Sequence, residues 1–180
     1  MSQVYDVLNI TNERPETNIV EHVTSRVKTA ESTAAKLQRH GLEATEENAI
    51  MDLSDIVGVR LIVHFVGDIY RIRDMLVNSK RFRIVKEKDY VKSQKSTGYR
   101  GYHIIIETEI DHFMMRSEIQ LRTIAMDCWA SLEHQIRYKK DIENAELVHL
   151  ELKKCADTLM AADESMENVY AIARLKDVVA

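Results

Sequence analysis

The chain has 180 residues, of which 45% are hydrophobic and 30% charged, and its net charge is −4. This composition provides for one domain with a buried core and excludes disordered, collagen-like and rod-like chains. Two cysteines without metal-binding spacing exclude a disulfide framework and a zinc site. We expect neither a signal peptide nor a membrane-spanning helix, and therefore a cytoplasmic protein.

The basic residues are concentrated in one segment. Residues 80–100 include eight basic and two acidic side chains, a local charge of +6, so the rest of the chain carries −10. An acidic protein with one basic segment is a poor general DNA binder. The distribution favours a compact, highly charged anion as the ligand.

The predicted elements begin with two helices. Apolar residues recur at helical spacing between Ile19 and Val27, which predicts a helix over 16–28. A second helix is predicted over 31–40 and ends at Gly41, because glycine commonly follows the last helical turn. The acidic connection 42–53 receives no assignment.

The middle of the chain alternates between strand and helix. The β-branched run 55–66 predicts a buried strand. A helix follows over 68–79, with Asp68 as its N-cap. A strand over 82–87 then leads into a polar, basic loop over 89–98.

The remaining elements complete an α+β fold, a mixed sheet flanked by helices. Strands over 102–110 and 113–122 are separated by two residues, which predicts a tight antiparallel hairpin. The next predicted helix covers 124–140, and the side chains that it is expected to bury are Cys128, Trp129, Leu132 and Ile136. We divide the chain into a domain over 1–140 and a helical extension over 141–180. The apolar positions of the extension suggest a helix pair that packs either on the domain or in an oligomer.

Two carboxylates are the first chemical candidates. Glu118 shares one strand face with Gln120 and Arg122, a pattern that a solvent-exposed polar face would also produce. Asp55 stands where a strand begins, a usual place for a turn residue. If both acids meet, a cation between them would relieve their repulsion, and two carboxylates plus substrate phosphates are a common Mg²⁺ site.

The loop before the hairpin is the second candidate. Tyr99 lies between Gly98 and Arg100 in a basic segment, which offers an aromatic face to a base and cations to phosphates. A flexible surface loop would have a similar composition. The basic residues Arg26, Lys28, Lys36 and Arg39 are ordinary solvated charges unless a triphosphate lies beside them.

These residues resemble a known family. In order and spacing, the chain is similar to the RelA/SpoT-type alarmone synthetase domain, from about Ile19 to Lys140. The motifs that carry the resemblance are Ser25-Arg-Val-Lys28, Asp55-Ile-Val-Gly-Val-Arg60, Gly98-Tyr-Arg-Gly-Tyr-His103, Glu118-Ile-Gln-Leu-Arg-Thr123 and Trp129-Ala-Ser-Leu-Glu-His134.

The resemblance implies a nucleotidyltransferase-like fold and a role in the stringent response. The implied reaction transfers pyrophosphate from ATP to the ribose 3′-hydroxyl of GDP or GTP and yields AMP and ppGpp or pppGpp. The chain looks like a small stand-alone synthetase, so no hydrolase activity is expected. The family's small synthetases also imply a homo-oligomer, a tetramer, built by terminal helices.

The resemblance also implies roles for single residues. Asp55 and Glu118 would hold Mg²⁺, and Glu118 would be the general base. On physical grounds, we expect a modestly raised pKa of Glu118 to be enough for this role. The residues assigned to ATP are Arg26, Lys28, Lys36, Arg39 and Arg60, of which Arg26 and Arg60 would enclose the adenine. Those assigned to the acceptor nucleotide are Lys95, Tyr99, His103, Gln120, Arg122 and Asp127, with Tyr99 stacked on the guanine.

Other functions stay open at this point. A relative could act on the tRNA 3′ end or on adenine nucleotides, although the acidic remainder of the chain argues against tRNA. A guanine-nucleotide sensor without turnover is a second alternative, but such a protein would be expected to lack Asp55 or Glu118. A scaffold or RNA-binding protein is the weakest, because the basic segment is short and lies in a loop.

Overall fold

The computed structural model describes residues 19–110, 113–137 and 144–177. The predicted turn at Asp111–His112, the start of the first predicted helix and the segment 138–143 lie outside the described residues. Within the described ranges, no helix is long and apolar enough to cross a membrane.

One five-stranded mixed sheet forms the centre of the fold. Its strands follow the order β1-β2-β5-β4-β3, with β2 and β5 parallel and every other neighbouring pair antiparallel. In chain order, the strands are β1 (Val20–Val27), β2 (Val57–Val63), β3 (Arg83–Asp89), β4 (Tyr102–Ile110) and β5 (Phe113–Thr123).

Helices flank the sheet, as the α+β prediction requires. They are α1 (Ala30–Arg39), α2 (Glu46–Asp52), α3 (Val66–Asn78), α4 (Ile124–Arg137) and α5 (Ala145–Asp177). The core lies where α3 packs on the central strands, and its fully buried members include Leu61, Ile69, Leu76, Ile104, Ile119 and Leu121. Burial of each such side chain contributes about 1.5–3 kcal/mol.

The hairpin prediction is confirmed by the pairing of β4 with β5. The ladder runs from Tyr102 opposite Leu121 to Ile110 opposite Phe113. This register follows from a two-residue connection, and it places His103 directly opposite Gln120. The helix predicted over 31–40 is confirmed as α1, with Thr29 as its N-cap and Gly41 at a φ of +75° after its end.

The first predicted helix is wrong: residues 20–27 form β1. The apolar spacing fits a helical face, but β1 is an edge strand of which most residues are exposed, so no alternating pattern marks it. Its backbone N–H and C=O groups pair with β2, from Val20 opposite Val63 to Val27 opposite Val57. This pairing outweighs the spacing of a few valines, which themselves favour strands.

Several local predictions also need correction. Asp68 is not the N-cap of α3, which follows Phe65 without a side-chain cap, and Asp68 is instead buried and paired with Arg71. Residues 42–53, left without assignment, contain the short helix α2. On α4, Cys128 and Leu132 are exposed, because the helix turns about 100° per residue and the face with Trp129 is the buried one.

The C-terminal extension is one helix of 33 residues where a helix pair was expected. It packs on α3 and α4 and buries Ala156 and Asp163. The division of the chain into a domain over 1–140 and an extension over 141–180 stays a prediction.

Candidate functional site

Two carboxylates meet beside the parallel pair of strands. Asp55 lies just before β2, and Glu118 lies in β5 opposite Gly58 of β2. Both side chains line one cavity of about 270 Å³, together with Arg26 and Arg60. The predicted proximity of the two acids is therefore found as a shared cavity.

Asp55 is held by two lysines, Lys28 and Lys36, that were predicted to bind ATP. Lys28 Nζ lies 2.7 Å from Oδ2 of Asp55, and Lys36 Nζ lies 2.8 Å from Oδ1. Burial raises the pKa of Asp55, but the two ammonium groups outweigh it and leave the pKa below its usual value. Asp55 is therefore an anion at neutral pH.

Glu118 is an anion as well. Burial raises the pKa of Glu118. Two contacts lower it by more: His103 Nδ1 lies 2.9 Å from Oε1, and Gln120 Nε2 donates to Oε2 at 2.8 Å. The net shift of the pKa is therefore downward. The expectation of a modestly raised pKa for Glu118 is therefore wrong. The pairing of β4 with β5 places His103 beside the carboxylate, and Gln120 lies two residues farther along β5 on the same strand face.

Glu118 and four other side chains form a closed ring of hydrogen bonds. The hydroxyl of Tyr99 lies 2.5 Å from Nε2 of His103 and accepts from Nη2 of Arg122 at 3.2 Å. The same Nη2 donates to Oε1 of Gln120 at 3.0 Å, which completes the circuit through Glu118. Such a network fixes the rotamer of each member before a ligand binds.

A second cavity of about 410 Å³ adjoins the first, and the two share Arg26, Arg60 and Gln120 as lining residues. Tyr99 and Arg122 line the second cavity only. The two cavities thus form one continuous surface, with the carboxylates at one end and Tyr99 at the other.

Three arginines, Arg26, Arg60 and Arg122, line the second cavity together with one glutamate, Glu133. Asp127 contacts both Arg60, at 3.4 Å, and Arg122, at 2.9 Å. Burial lowers the pKa of Arg60, and the charges of Arg122 and Arg26 lower it further. Nε of Arg60 and Nε of Arg122 are buried without a hydrogen-bond partner among the described residues. Oxygen atoms of an anionic ligand would satisfy these donors.

The basic loop between β3 and β4 borders this cavity through Tyr99. Nζ of Lys95 lies 4.4 Å from the ring centroid of Tyr90 and 5.0 Å from that of Tyr99, within cation–π range. Gly98 has a φ of +96°, and a Cβ at this position would lie 2.7 Å from Cβ of Ala156 on α5. The loop is thus pressed against the C-terminal helix.

The structure brings together every predicted site residue except Arg39, whose guanidinium is exposed and donates to the Ala35 carbonyl oxygen. Sequence reasoning missed Tyr90, which packs edge-on against Tyr99 and His103. It also missed the buried pair of Arg100 and Asp163. The contact between Tyr90 and Tyr99 could have been suspected, because both residues belong to one loop. No local sequence pattern indicates a contact of Asp163 with Arg100.

A metal site at this position would depend on few protein ligands. Among the described residues, no three His, Cys, Asp or Glu side chains form a group that could hold a metal ion. The two carboxylate groups of the first cavity are nevertheless hard oxygen ligands, which Mg²⁺ prefers, and they line space that a ligand can enter. The donor set fits Mg²⁺ bound jointly by protein and substrate.

Comparisons with known proteins show which proteins this chain is similar to. The family model described as a region found in RelA / SpoT proteins matches residues 25–143. The GTP pyrophosphokinase YwaC of Bacillus subtilis (strain 168) is 43% identical over 153 residues, which cover 83% of this chain and 73% of YwaC. The GTP pyrophosphokinase YjbM of the same organism is 34% identical over 154 residues, with coverages of 83% and 72%.

A solved structure shares the whole architecture. Small alarmone synthetase 1 from Bacillus subtilis, bound to its product pppGpp, superposes with a TM-score of 0.83 at 28% identity. The match covers 96% of this chain and 90% of that protein. The mixed sheet, the flanking helices and the long C-terminal helix are common to both.

Proposed function

Because the chain belongs to the family that carries the RelA/SpoT region, we propose that it is a (p)ppGpp synthetase. It transfers the pyrophosphate of ATP to the ribose 3′-hydroxyl of GDP or GTP and releases AMP. The observation that carries this proposal is the pair Asp55 and Glu118 in one cavity, next to a cation-rich cavity lined by Tyr99. The relatives' name of GTP pyrophosphokinase supports the same reaction.

ATP would occupy the side of Arg26 and Arg60. These two arginines line both cavities, so an adenine between them would leave its phosphates near Lys28 and Lys36. Both lysines now neutralise Asp55. The oxygens of a triphosphate would compete with Asp55 for these lysines. If the lysines turned toward ATP, the Asp55 carboxylate would be free to bind a metal ion. Arg39, at the end of α1, is the least supported member of the ATP set.

The acceptor nucleotide would occupy the side of Tyr99. Its guanine stacks on the Tyr99 ring, and Lys95, Arg122 and His103 offer positive charge or hydrogen bonds to the rest of the nucleotide. Gln120 and Asp127 hold Arg122 in place from two directions. This arrangement directs the ribose toward Glu118, the carboxylate inside the hydrogen-bond ring.

The chemistry is an in-line displacement at the β-phosphorus of ATP. A bond forms between the 3′-oxygen of the acceptor and the β-phosphorus, and the bond from the β-phosphorus to the α–β bridging oxygen breaks, so AMP leaves. Glu118 accepts the proton of the 3′-hydroxyl. The arginine and lysine side chains neutralise charge on the transferring oxygens, which is mainly a task of positioning and electrostatics.

We include Mg²⁺ in this proposal, held by Asp55 and Glu118 together with substrate phosphates. The ion would supply Lewis-acid neutralisation of phosphate oxygens. Removal of divalent metal with EDTA should abolish turnover, and added Mg²⁺ should restore it. Unchanged turnover in EDTA would contradict the metal requirement.

The direct test of the function incubates purified protein with ATP, Mg²⁺ and either GDP or GTP. Anion-exchange separation should show AMP and, in equal amount, a guanine nucleotide of higher charge. Parallel reactions with tRNA or with adenine nucleotides as acceptors should give no product. If product forms only with tRNA or only with adenine nucleotides, that acceptor is the substrate in place of GDP or GTP. If GDP binds but no product forms with any acceptor, the protein is better described as a guanine-nucleotide sensor.

The proposal extends to a homo-oligomer, tetrameric by family resemblance, in the cytoplasm, where its nucleotide substrates are. Large apolar side chains are exposed along α5, including Leu147, Leu150, Met166, Val169 and Ile172. An exposed apolar surface of this kind is usual where a partner covers it. Sedimentation equilibrium should show a mass several times the 20.8 kDa of the chain. We expect no general DNA binding, given the acidic remainder of the chain.

A further inference from the structure

A buried ion pair joins the long C-terminal helix α5 to the basic loop between β3 and β4. Nη1 of Arg100 lies 3.3 Å from Oδ2 of Asp163 in the middle of α5, and each of the two residues is only 8% exposed. Oγ1 of Thr123 donates to the same Oδ2 at 2.8 Å and accepts from the Met126 backbone N–H at 3.1 Å. Asp163 therefore ties together the loop, the end of β5 and the first turn of α4.

Arg100 is the residue after Tyr99, so this pair fixes the backbone beside the proposed guanine site. Two further contacts join the same helix to the same loop. Nζ of Lys153 donates to Oε1 of Gln94 at 3.2 Å, and Ala156 packs against Gly98. Of these contacts, only the pair of Arg100 and Asp163 joins two buried charged side chains, so loss of one partner would leave an unpaired buried charge.

From these contacts we infer that Asp163 is a positioning residue for the acceptor nucleotide. It acts through Arg100 and holds Tyr99 in the orientation that binds the guanine of GDP or GTP. This inference rests on the proposed function. A loop already fixed in its binding conformation loses less entropy when it binds a ligand, so the pair contributes to acceptor affinity without touching the nucleotide.

The ATP side provides an internal control. Arg26, Lys28 and Lys36 lie on or beside β1 and α1, and within the described part of the chain α5 packs mainly on α3 and α4 rather than on these two elements. A variant at Asp163 should therefore weaken the binding of GDP and leave the binding of ATP unchanged. General destabilisation would change both affinities, or neither.

The test measures dissociation constants by isothermal titration calorimetry with Mg²⁺ present. The probes are GDP and α,β-methylene ATP. In this analogue a methylene group replaces the α–β bridging oxygen, so the bond that the proposed reaction breaks cannot be cleaved. The variants are Asp163→Asn and Arg100→Lys, which change the pair conservatively. The matched control is Glu151→Gln, an acid on the exposed face of α5 that pairs with Lys154.

We expect Asp163→Asn to raise the Kd for GDP about tenfold. This is the effect expected if only about a tenth of the variant molecules hold the loop in its binding conformation. The Kd for α,β-methylene ATP should stay within about twofold of the wild-type value by the same relation. Arg100→Lys, which keeps the charge, should give a smaller loss. Glu151→Gln should change neither constant.

The double variant Arg100→Met with Asp163→Leu keeps the inference falsifiable if a single variant fails to fold. It removes both buried charges, a replacement that folded proteins tolerate. We expect its GDP affinity to be as low as that of Asp163→Asn, because both variants remove the same interaction. Wild-type GDP affinity in this variant or in Asp163→Asn would overturn the inference while leaving the proposed function intact. Wild-type protein that binds GDP but forms no product would instead overturn the proposed function.

Discussion

The sharpest prediction concerns Glu118→Gln. The change keeps the shape of the side chain but removes the charge and the proton-accepting oxygen of the proposed base. A general base contributes about 10²–10⁴-fold to a reaction rate, which equals about 2.7–5.4 kcal/mol. We therefore expect kcat for AMP release to fall by about that factor. Weakened Mg²⁺ binding would add to the loss.

The cost to folding should be much smaller. The Glu118 side chain is 16% exposed, and a glutamine retains one oxygen that can accept from His103 or Gln120. One charge-assisted hydrogen bond is lost, which corresponds to about 1–3 kcal/mol in the free energy of unfolding. Thermal unfolding should therefore show a folded variant with a modestly lowered Tm.

The assay compares wild type, Glu118→Gln and Glu118→Asp at saturating ATP and GDP. Glu118→Asp keeps a carboxylate but shortens its reach, so its kcat should lie between those of the other two proteins. Normal turnover in a folded Glu118→Gln variant would refute the role of Glu118 as general base. Equal losses in both variants would show that the position of the carboxylate matters as much as its presence.

Three further predictions test other parts of the structure. Glu87→Gln should lower the free energy of unfolding by about 1 kcal/mol at pH 7, because it breaks the two-point pair with Arg73. That pair holds the pKa of Glu87 below its ordinary 4.5. In denaturant titrations, the difference in stability between variant and wild type should therefore shrink as the pH falls below that ordinary value and vanish below the lowered pKa of the folded state. A difference of constant size through this pH range would contradict the assignment. Gly98→Ala should cost about 1–3 kcal/mol of stability for its positive φ, plus the cost of a close approach to Ala156, and an unchanged Tm would show that the loop is not held against α5. Tyr99→Leu should raise the KM for GDP by about 5–150-fold, the loss of about 1–3 kcal/mol of stacking, whereas an equal rise in the KM for ATP would argue against a guanine site at Tyr99.

The part of the fold that the sequence predicts best is the part with regular patterns. The strands β4 and β5 have β-rich or alternating sequences, and a two-residue connection determines their register. For this reason the neighbours of Glu118 could be deduced: His103 must lie opposite Gln120. The motif residues Asp55 and Glu118 could be suspected from their chemistry, but their shared cavity depends on the parallel pairing of β2 with β5, which no local pattern encodes.

The failures have equally specific causes. The edge strand β1 buries little, so its few valines mimic a helical face. The helix α2 has seven residues and one buried side chain, too short for an apolar period, although Thr45 does cap it. The downward pKa shift of Glu118 requires two hydrogen-bond distances that only the folded chain provides. Asp163 is separated from Arg100 by 63 residues, and one acid on an acidic helix has no distinguishing spacing.

The measurement that tests the central claim most directly follows the phosphorus atoms of ATP. Separate reactions contain GDP and ATP labelled at the α- or the β-phosphorus. Transfer of pyrophosphate predicts that the β-label appears in the new guanine nucleotide and that the α-label appears only in AMP. A β-label that remains in ADP, with transfer of the terminal phosphate alone, would contradict the reaction proposed for Asp55 and Glu118.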